Sequence, residues 1–144
     1  MARDLKPLEV WRIALTEWVR RDVPDLSARQ FAVMLSVYLT PPPHTVRGLA
    51  AKLNVSKPAI TRALDRLGQL GFLKRKRDET DRRNVLVQRT VKGSVYLSDF
   101  AELVDHADLE LTKLRAAQAA AAVAVNDTPA VSDAAATSGA EPVA

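Results

Sequence analysis

The chain has 144 residues, 47% of them apolar, which is enough for one compact domain with an extension but not for two full cores. It has no cysteine, which excludes disulfides, thiolate metal sites and thiol redox chemistry. Its net charge of +4 is unevenly spread: Met1–Pro43 holds 6 Lys and Arg against 5 Asp and Glu, His44–Lys92 holds 13 against 4, and Gly93–Ala144 holds 2 against 8.

The opening Met1-Ala-Arg-Asp-Leu-Lys6 lacks the uninterrupted apolar stretch of a signal peptide. The longest apolar run, Ala119–Val125, falls far short of the roughly 20 residues of a membrane span, so a soluble cytoplasmic chain is expected. A first amphipathic helix is predicted from Leu8 to Arg21, with Leu8, Trp11, Leu15 and Trp18 on one face. A second is announced by Ser27-Ala-Arg-Gln30, a capping box in which Ser27 accepts from a first-turn amide and Gln30 reaches back. It carries Phe31, Met34, Leu35, Tyr38 and Leu39 inward and stops at Thr40, before Pro41-Pro-Pro43.

Two short helices follow, one starting after Thr45 with Val46, Leu49, Ala50 and Leu53, the other at Ser56 with Ile60, Ala63, Leu64 and Leu67. Pro58 is tolerated in the second because first-turn amides are unpaired anyway. Gly71 closes that helix. Candidate strands Phe72–Arg77 and Asn84–Thr90 flank a wholly polar link, Asp78-Glu-Thr-Asp-Arg-Arg83, which reads as a β-hairpin. Beyond Gly93, Leu97, Phe100, Val104, Ala107, Leu111 and Leu114 step by three and four, a seam suited to pairing with another helix, and an alanine-rich run extends it toward Val125. From Asn126 onward the composition predicts a disordered tail. The chain thus divides into 1–43 (N-terminal support or dimerisation helices), 44–93, 94–125 (long C-terminal helix) and 126–144.

The middle charge of +9 reads as a polyanion-binding surface or as a solvated basic face, and the local pattern decides between them. Thr45–Leu67 has the steric logic of a helix-turn-helix. Ala50 is small enough for two helices to cross closely, Asn54 tolerates the positive φ of the turn, Val55 plugs it, and Ile60 closes the pair. With Ile60, Leu64 and Leu67 inward, the outer face shows Lys57, Thr61, Arg62, Asp65 and Arg66. Such a helix enters a major groove by its N-terminal half. Ser56 and Thr61 can bond phosphate or base edges, and Arg62 is the candidate for guanine. Asp65 either accepts from cytosine or holds Arg62 or Arg66 in place, the second being favoured. Thr45, Pro58, Arg75 and Arg77 complete the candidate DNA face, with Arg82 and Arg83 at the hairpin tip, since narrow minor grooves attract arginine.

The stretch from Leu49 to Leu67, with Gly71-Phe-Leu-Lys-Arg75 and Asp81-Arg-Arg-Asn-Val-Leu-Val87, resembles the helix-turn-helix and wing of the MarR family of bacterial transcriptional regulators. Asp81, Arg83, Thr90 and Gly93 fill places of the family's wing signature, while Arg89 stands where that pattern has leucine. The likeness covers about Thr45–Gly93. It implies a mainly α fold with a small β-hairpin wing: a winged helix-turn-helix flanked by N- and C-terminal dimerisation helices. It further implies a homodimer on a pseudo-palindromic double-stranded site, with the second short helix in the major groove and the wing arginines in the minor groove. Asp81 is expected to orient a wing arginine rather than touch DNA, since it would repel phosphate.

Family members have two long helices after the wing, whereas one seam is legible here. The expected dimer residues are Leu8, Trp11, Leu15, Trp18, Leu97, Phe100, Val104, Leu111 and Leu114, and the Trp11/Trp18 face reads equally as a core within one chain. A small-molecule effector is a possible partner, with Trp11, Trp18, Tyr38 and Tyr96 as candidate lining or, alternatively, core. No cofactor or metal is expected: His44 and His106 are too few and too scattered for a cluster, and no phosphate loop or nucleophile elbow is present, so the reading is not an enzyme. A winged-helix adaptor for proteins would show an apolar or mixed outer face. Nonspecific nucleoid architecture would separate from site-specific control by salt dependence and footprinting.

Overall fold

The computed structural model describes residues 2–126. The tail expected to be disordered, 126–144, lies outside them apart from Asn126. Seven elements follow in order: α1 (Lys6–Arg20), α2 (Ala28–Leu39), α3 (Val46–Leu53), α4 (Lys57–Gln69), β1 (Leu73–Arg77), β2 (Val85–Arg89) and α5 (Val91–Asn126). The architecture is mainly α with one antiparallel hairpin.

Pro7 stands in the first turn of α1, where its missing amide costs nothing. The buried stripe of α1 is Val10, Ala14 and Trp18, rather than the whole expected face. Leu8, Trp11 and Leu15 lie on the flank of that stripe and are 64%, 46% and 39% exposed. The four-residue step of the stripe lets α5 lie along α1 in the antiparallel sense: Trp18 meets Tyr96 edge-on at 5.1 Å at one end, and Arg115 pairs with Asp4 at 3.2 Å at the other.

The capping box of α2 forms as read, with Ser27 Oγ accepting from the Gln30 amide and Gln30 Oε1 accepting from the Ser27 amide. Its core residues are Val33, Met34 and Val37, each fully buried, with Phe31 and Tyr38 half-buried beside them. Leu39, expected inward, is exposed because the helix ends there and its last turn runs past the core.

The helix-turn-helix follows its sequence signals closely. Thr45 Oγ1 caps α3 by accepting from Gly48, and Ser56 Oγ caps α4 by accepting from Ala59. Asn54 adopts φ 52°, ψ 47°, the left-handed turn expected of it. Val55 donates back to Ala50 O, closing the turn. Ile60, Ala63, Leu64 and Leu67 of α4 are buried against α2 and α3. Each large apolar side chain so buried contributes roughly 1.5–3 kcal/mol.

Gly71, at φ 77°, turns the chain from α4 into β1. The strands pair Leu73 with Arg89, Arg75 with Val87 and Arg77 with Val85. β1 starts one residue later than expected, and β2 is one residue shorter at each end. Asn84 belongs to the wing turn, its amide donating to Asp81 O, and Thr90 leaves the sheet to cap α5: its hydroxyl accepts from the Gly93 amide at 3.0 Å and donates to Gly71 O at 2.7 Å. The long helix accordingly starts at Val91, ahead of the boundary at 94. At Gly93 a Cβ would overlap both the Tyr38 hydroxyl and the Phe72 carbonyl, so no side chain fits where α5 passes the hairpin.

Candidate nucleic-acid interface

The outer face of α4 carries Lys57, Pro58, Thr61, Arg62, Asp65 and Arg66, all exposed, opposite its buried apolar stripe. The caps at Thr45 and Ser56 use one acceptor lone pair of each hydroxyl, leaving each O–H available as a donor. The two helix N-termini add partial positive charge on this side.

Wing and helices meet in a groove of about 240 Å³ lined by Val46, Arg47, Lys57, Thr61, Arg75, Arg83, Asn84 and Val85. It draws Lys57, Thr61, Arg75 and Arg83 together from three separate stretches of sequence. Arg62, Arg66, Arg77 and Arg82 are exposed but do not line it. Arg47 was not singled out by sequence reasoning; its place as the second residue of α3, two after the capping Thr45, was the available signal.

Two carboxylates do other work than expected. Asp65 pairs with Arg75 at 2.7 Å, so it ties α4 to β1 rather than holding Arg62 or Arg66. Both groups are well exposed, and the pair therefore contributes orientation more than stability. Asp81 accepts from the backbone amide of Arg83 at 3.1 Å, with Asn84 donating to Asp81 O at 3.0 Å. It shapes the wing turn; its partner is Arg83's main chain. Beside it, the hydroxyl and then the amide of Thr80 hold Asp78 below its ordinary value of 3.8.

At the base of the hairpin, Arg89 Nε donates to Val37 O at 2.9 Å and its Nη2 to Thr40 O at 3.0 Å. It satisfies carbonyls that the end of α2 leaves open. The expected dimer residues divide. Trp18, Phe100 and Leu111 lie in the protomer's own core, Leu97 and Val104 are half-buried, and Leu8, Trp11, Leu15 and Leu114 are exposed.

The four aromatics considered for an effector site do not share one cavity. Trp18 and Tyr96 are core, and burial pushes the Tyr96 phenol up. Tyr38 sits at the hairpin base. Trp11 and Trp18 border a separate apolar groove of about 370 Å³ between α1 and α2, with Leu15, Leu26, Phe31 and Leu35.

Among the described residues, no group of three or more His, Asp or Glu could hold a metal ion, and no helix is long and apolar enough to cross a membrane. His44 is buried with Nε2 3.1 Å from Thr40 O, and His106 faces Glu110 at 3.0 Å on the surface of α5.

Comparison with known proteins agrees with this geometry. Residues 26–85 match the family model described as the MarR family. A mutant MarR from E. coli is 29% identical, with 84% of this chain and 87% of that chain covered and a TM-score of 0.59. The transcriptional regulator BldR from Sulfolobus solfataricus is 27% identical, with 78% and 86% covered and a TM-score of 0.53. Reduced AbfR, in a structure bound to DNA, is 23% identical, with 67% of this chain and 63% of that chain covered and a TM-score of 0.53. No curated protein matches. Residues 26–85 thus form a MarR-family domain, set in a winged helix-turn-helix fold shared with MarR itself.

Proposed function

We propose that the chain is a sequence-specific regulator that binds double-stranded DNA as a homodimer. Helix α4 lies in the major groove of each half-site and the wing tip lies in the adjacent minor groove. The observation that carries this reading is the cationic and hydroxyl face of α4, continuous with the arginine-bearing wing and backed by a closed core on its other side. Thr45, Ser56, Lys57, Arg75 and Arg77 hold phosphates, Thr61, Arg62 and Arg66 face base edges, Pro58 packs at the groove wall, and Arg82 and Arg83 enter the minor groove. The DNA in the AbfR structure supports the partner class, at the level of a shared fold.

The homodimer reading rests on apolar surface that the protomer leaves uncovered. Leu8, Trp11, Leu15 and Val19 of α1 and Leu114 of α5 are exposed, on the two helices that already pack together. Two-fold symmetry of the protein then demands an inverted repeat in the DNA. The α1–α2 groove adjoins this surface and is where a small apolar effector would reach the dimer seam.

Selection of binding sites from a random duplex library tests the reading. The expected product is an inverted repeat with half-site centres about 10 base pairs apart, one helical turn. Absence of any enriched sequence at physiological salt would leave only nonspecific polyanion binding and refute site-specific control.

A further inference from the structure

We propose that Tyr38 and Arg89 are positioning residues for DNA binding: together they clasp the base of the wing to the end of α2 and set the tilt at which its tip meets DNA. The inference rests on the DNA-binding reading above.

The hairpin's two ends converge on one side chain. The single O–H of Tyr38 lies 2.7 Å from Phe72 O, just before β1, and 3.0 Å from Thr90 O, just after β2. Its oxygen also accepts the Thr90 amide at 2.9 Å. Arg89, the last residue of β2, grips α2 from the other direction through Val37 O and Thr40 O, its guanidinium carbon 6.0 Å from the Tyr38 ring. The planar fork of arginine can reach two carbonyls in this way; leucine, the residue of the family pattern, could reach neither. Gly93 seals the arrangement by admitting α5 against the same hydroxyl.

Elsewhere the hairpin is held at one level of its length. His44 O accepts the Val87 amide at 2.8 Å, Thr45 bridges Leu86, and Asp65 of α4 pairs with Arg75, which stands opposite Val87 in the register. An attachment at one level is a pivot, and a second, three residues away at Arg89, is what fixes the angle. Five-residue strands extend roughly 17 Å from base to tip, so a tilt of about 10° at the base carries the tip about 3 Å. That is one hydrogen-bond length, enough to take Arg82 and Arg83 off a minor groove.

The test is a double-mutant cycle on one selected duplex, with affinity measured against salt. The variants are Tyr38→Phe with Arg89→Leu, Arg82→Ala with Arg83→Ala, and all four changes together, each checked for helix content and thermal midpoint. Where the clasp pair lowers the midpoint, Tyr38→Phe alone, which removes one oxygen, takes its place. The clasp change should weaken binding about tenfold in the parent and reduce the salt slope by about one or two, but should weaken it less than twofold once the wing arginines are gone. Equal losses in both backgrounds overturn the inference, because Arg89 would then touch phosphate directly or support the fold in general. If the wing-tip change alone alters neither affinity nor salt slope, the wing reading itself fails and takes the clasp with it.

Discussion

Helices α4 and α5 show how differently a repeating apolar pattern can be used. The 13 residues of α4 have one inner and one outer face throughout, and every inner residue meets the same small core. The 36 residues of α5 change surroundings as they run. Tyr96 and Phe100 join an aromatic cluster with Trp18 and Phe31, Ala107 and Leu111 sit against α1, and from Ala116 onward every described residue is exposed. A short helix declares its role by its faces, whereas a long one gives the same seam whether its partner is its own chain or another.

The largest effect should come from breaking that distinction within α5. Phe100→Asp places a charge among Trp11, Trp18 and Phe31 and should destabilise the protomer by about 4 kcal/mol or more in urea denaturation. Leu114→Asp with Leu8→Asp, at exposed places on the same helix pair, should leave the protomer within about 0.5 kcal/mol of the parent. In sedimentation the same pair of changes should convert a dimer to monomers. Aspartates at Phe100 and Leu111 cannot serve that purpose, since both positions lie in the protomer's core.

On α4 the expected effect is smaller and lies in recognition. Arg62→Ala should remove about 1–3 kcal/mol of sequence-specific binding with no change in thermal midpoint, measured across a panel of single base-pair substitutions. Equal binding by mutant and parent at every base pair would mean that Arg62 reads no base.

The mildest effect concerns the wing turn. Asp78 is held below its ordinary value by Thr80, so its ionised form supports the turn above about pH 3.8 and that support is lost as pH falls through the lowered folded value. A carboxyl NMR titration should show Asp78 titrating at lower pH in the parent than in Thr80→Ala. Coincident titrations would show that the turn has no hold on the carboxylate.

The parts legible in advance were those encoded by neighbours in sequence. Ser27 and Gln30, Thr45, Asn54, Ser56 and Gly71 each act within five residues, and each stands where its chemistry predicted. The parts that were not legible depend on distant partners. Tyr38 and Thr90, 52 residues apart, meet only because α2 and the hairpin share a core, and Asp65 finds Arg75 only once β1 folds back on α4. The arginine at 89, where the family pattern has leucine, gains its role only from the Val37 and Thr40 carbonyls that the fold brings beside it. In α1 the alternating three-and-four spacing of Leu8, Trp11, Leu15 and Trp18 masked the Val10–Ala14–Trp18 stripe, because small Ala14 carries little apolar weight although α5 packs directly on it.

The central claim is that the face of α4 and the wing carry the DNA. Amide NMR shifts followed while the protein is titrated with a selected duplex test it residue by residue. The largest changes are expected over Thr45–Arg66 and Asp78–Asn84, with the outer faces of α1 and α5 unchanged. Changes concentrated on α1 and α5, with α4 silent, would contradict it.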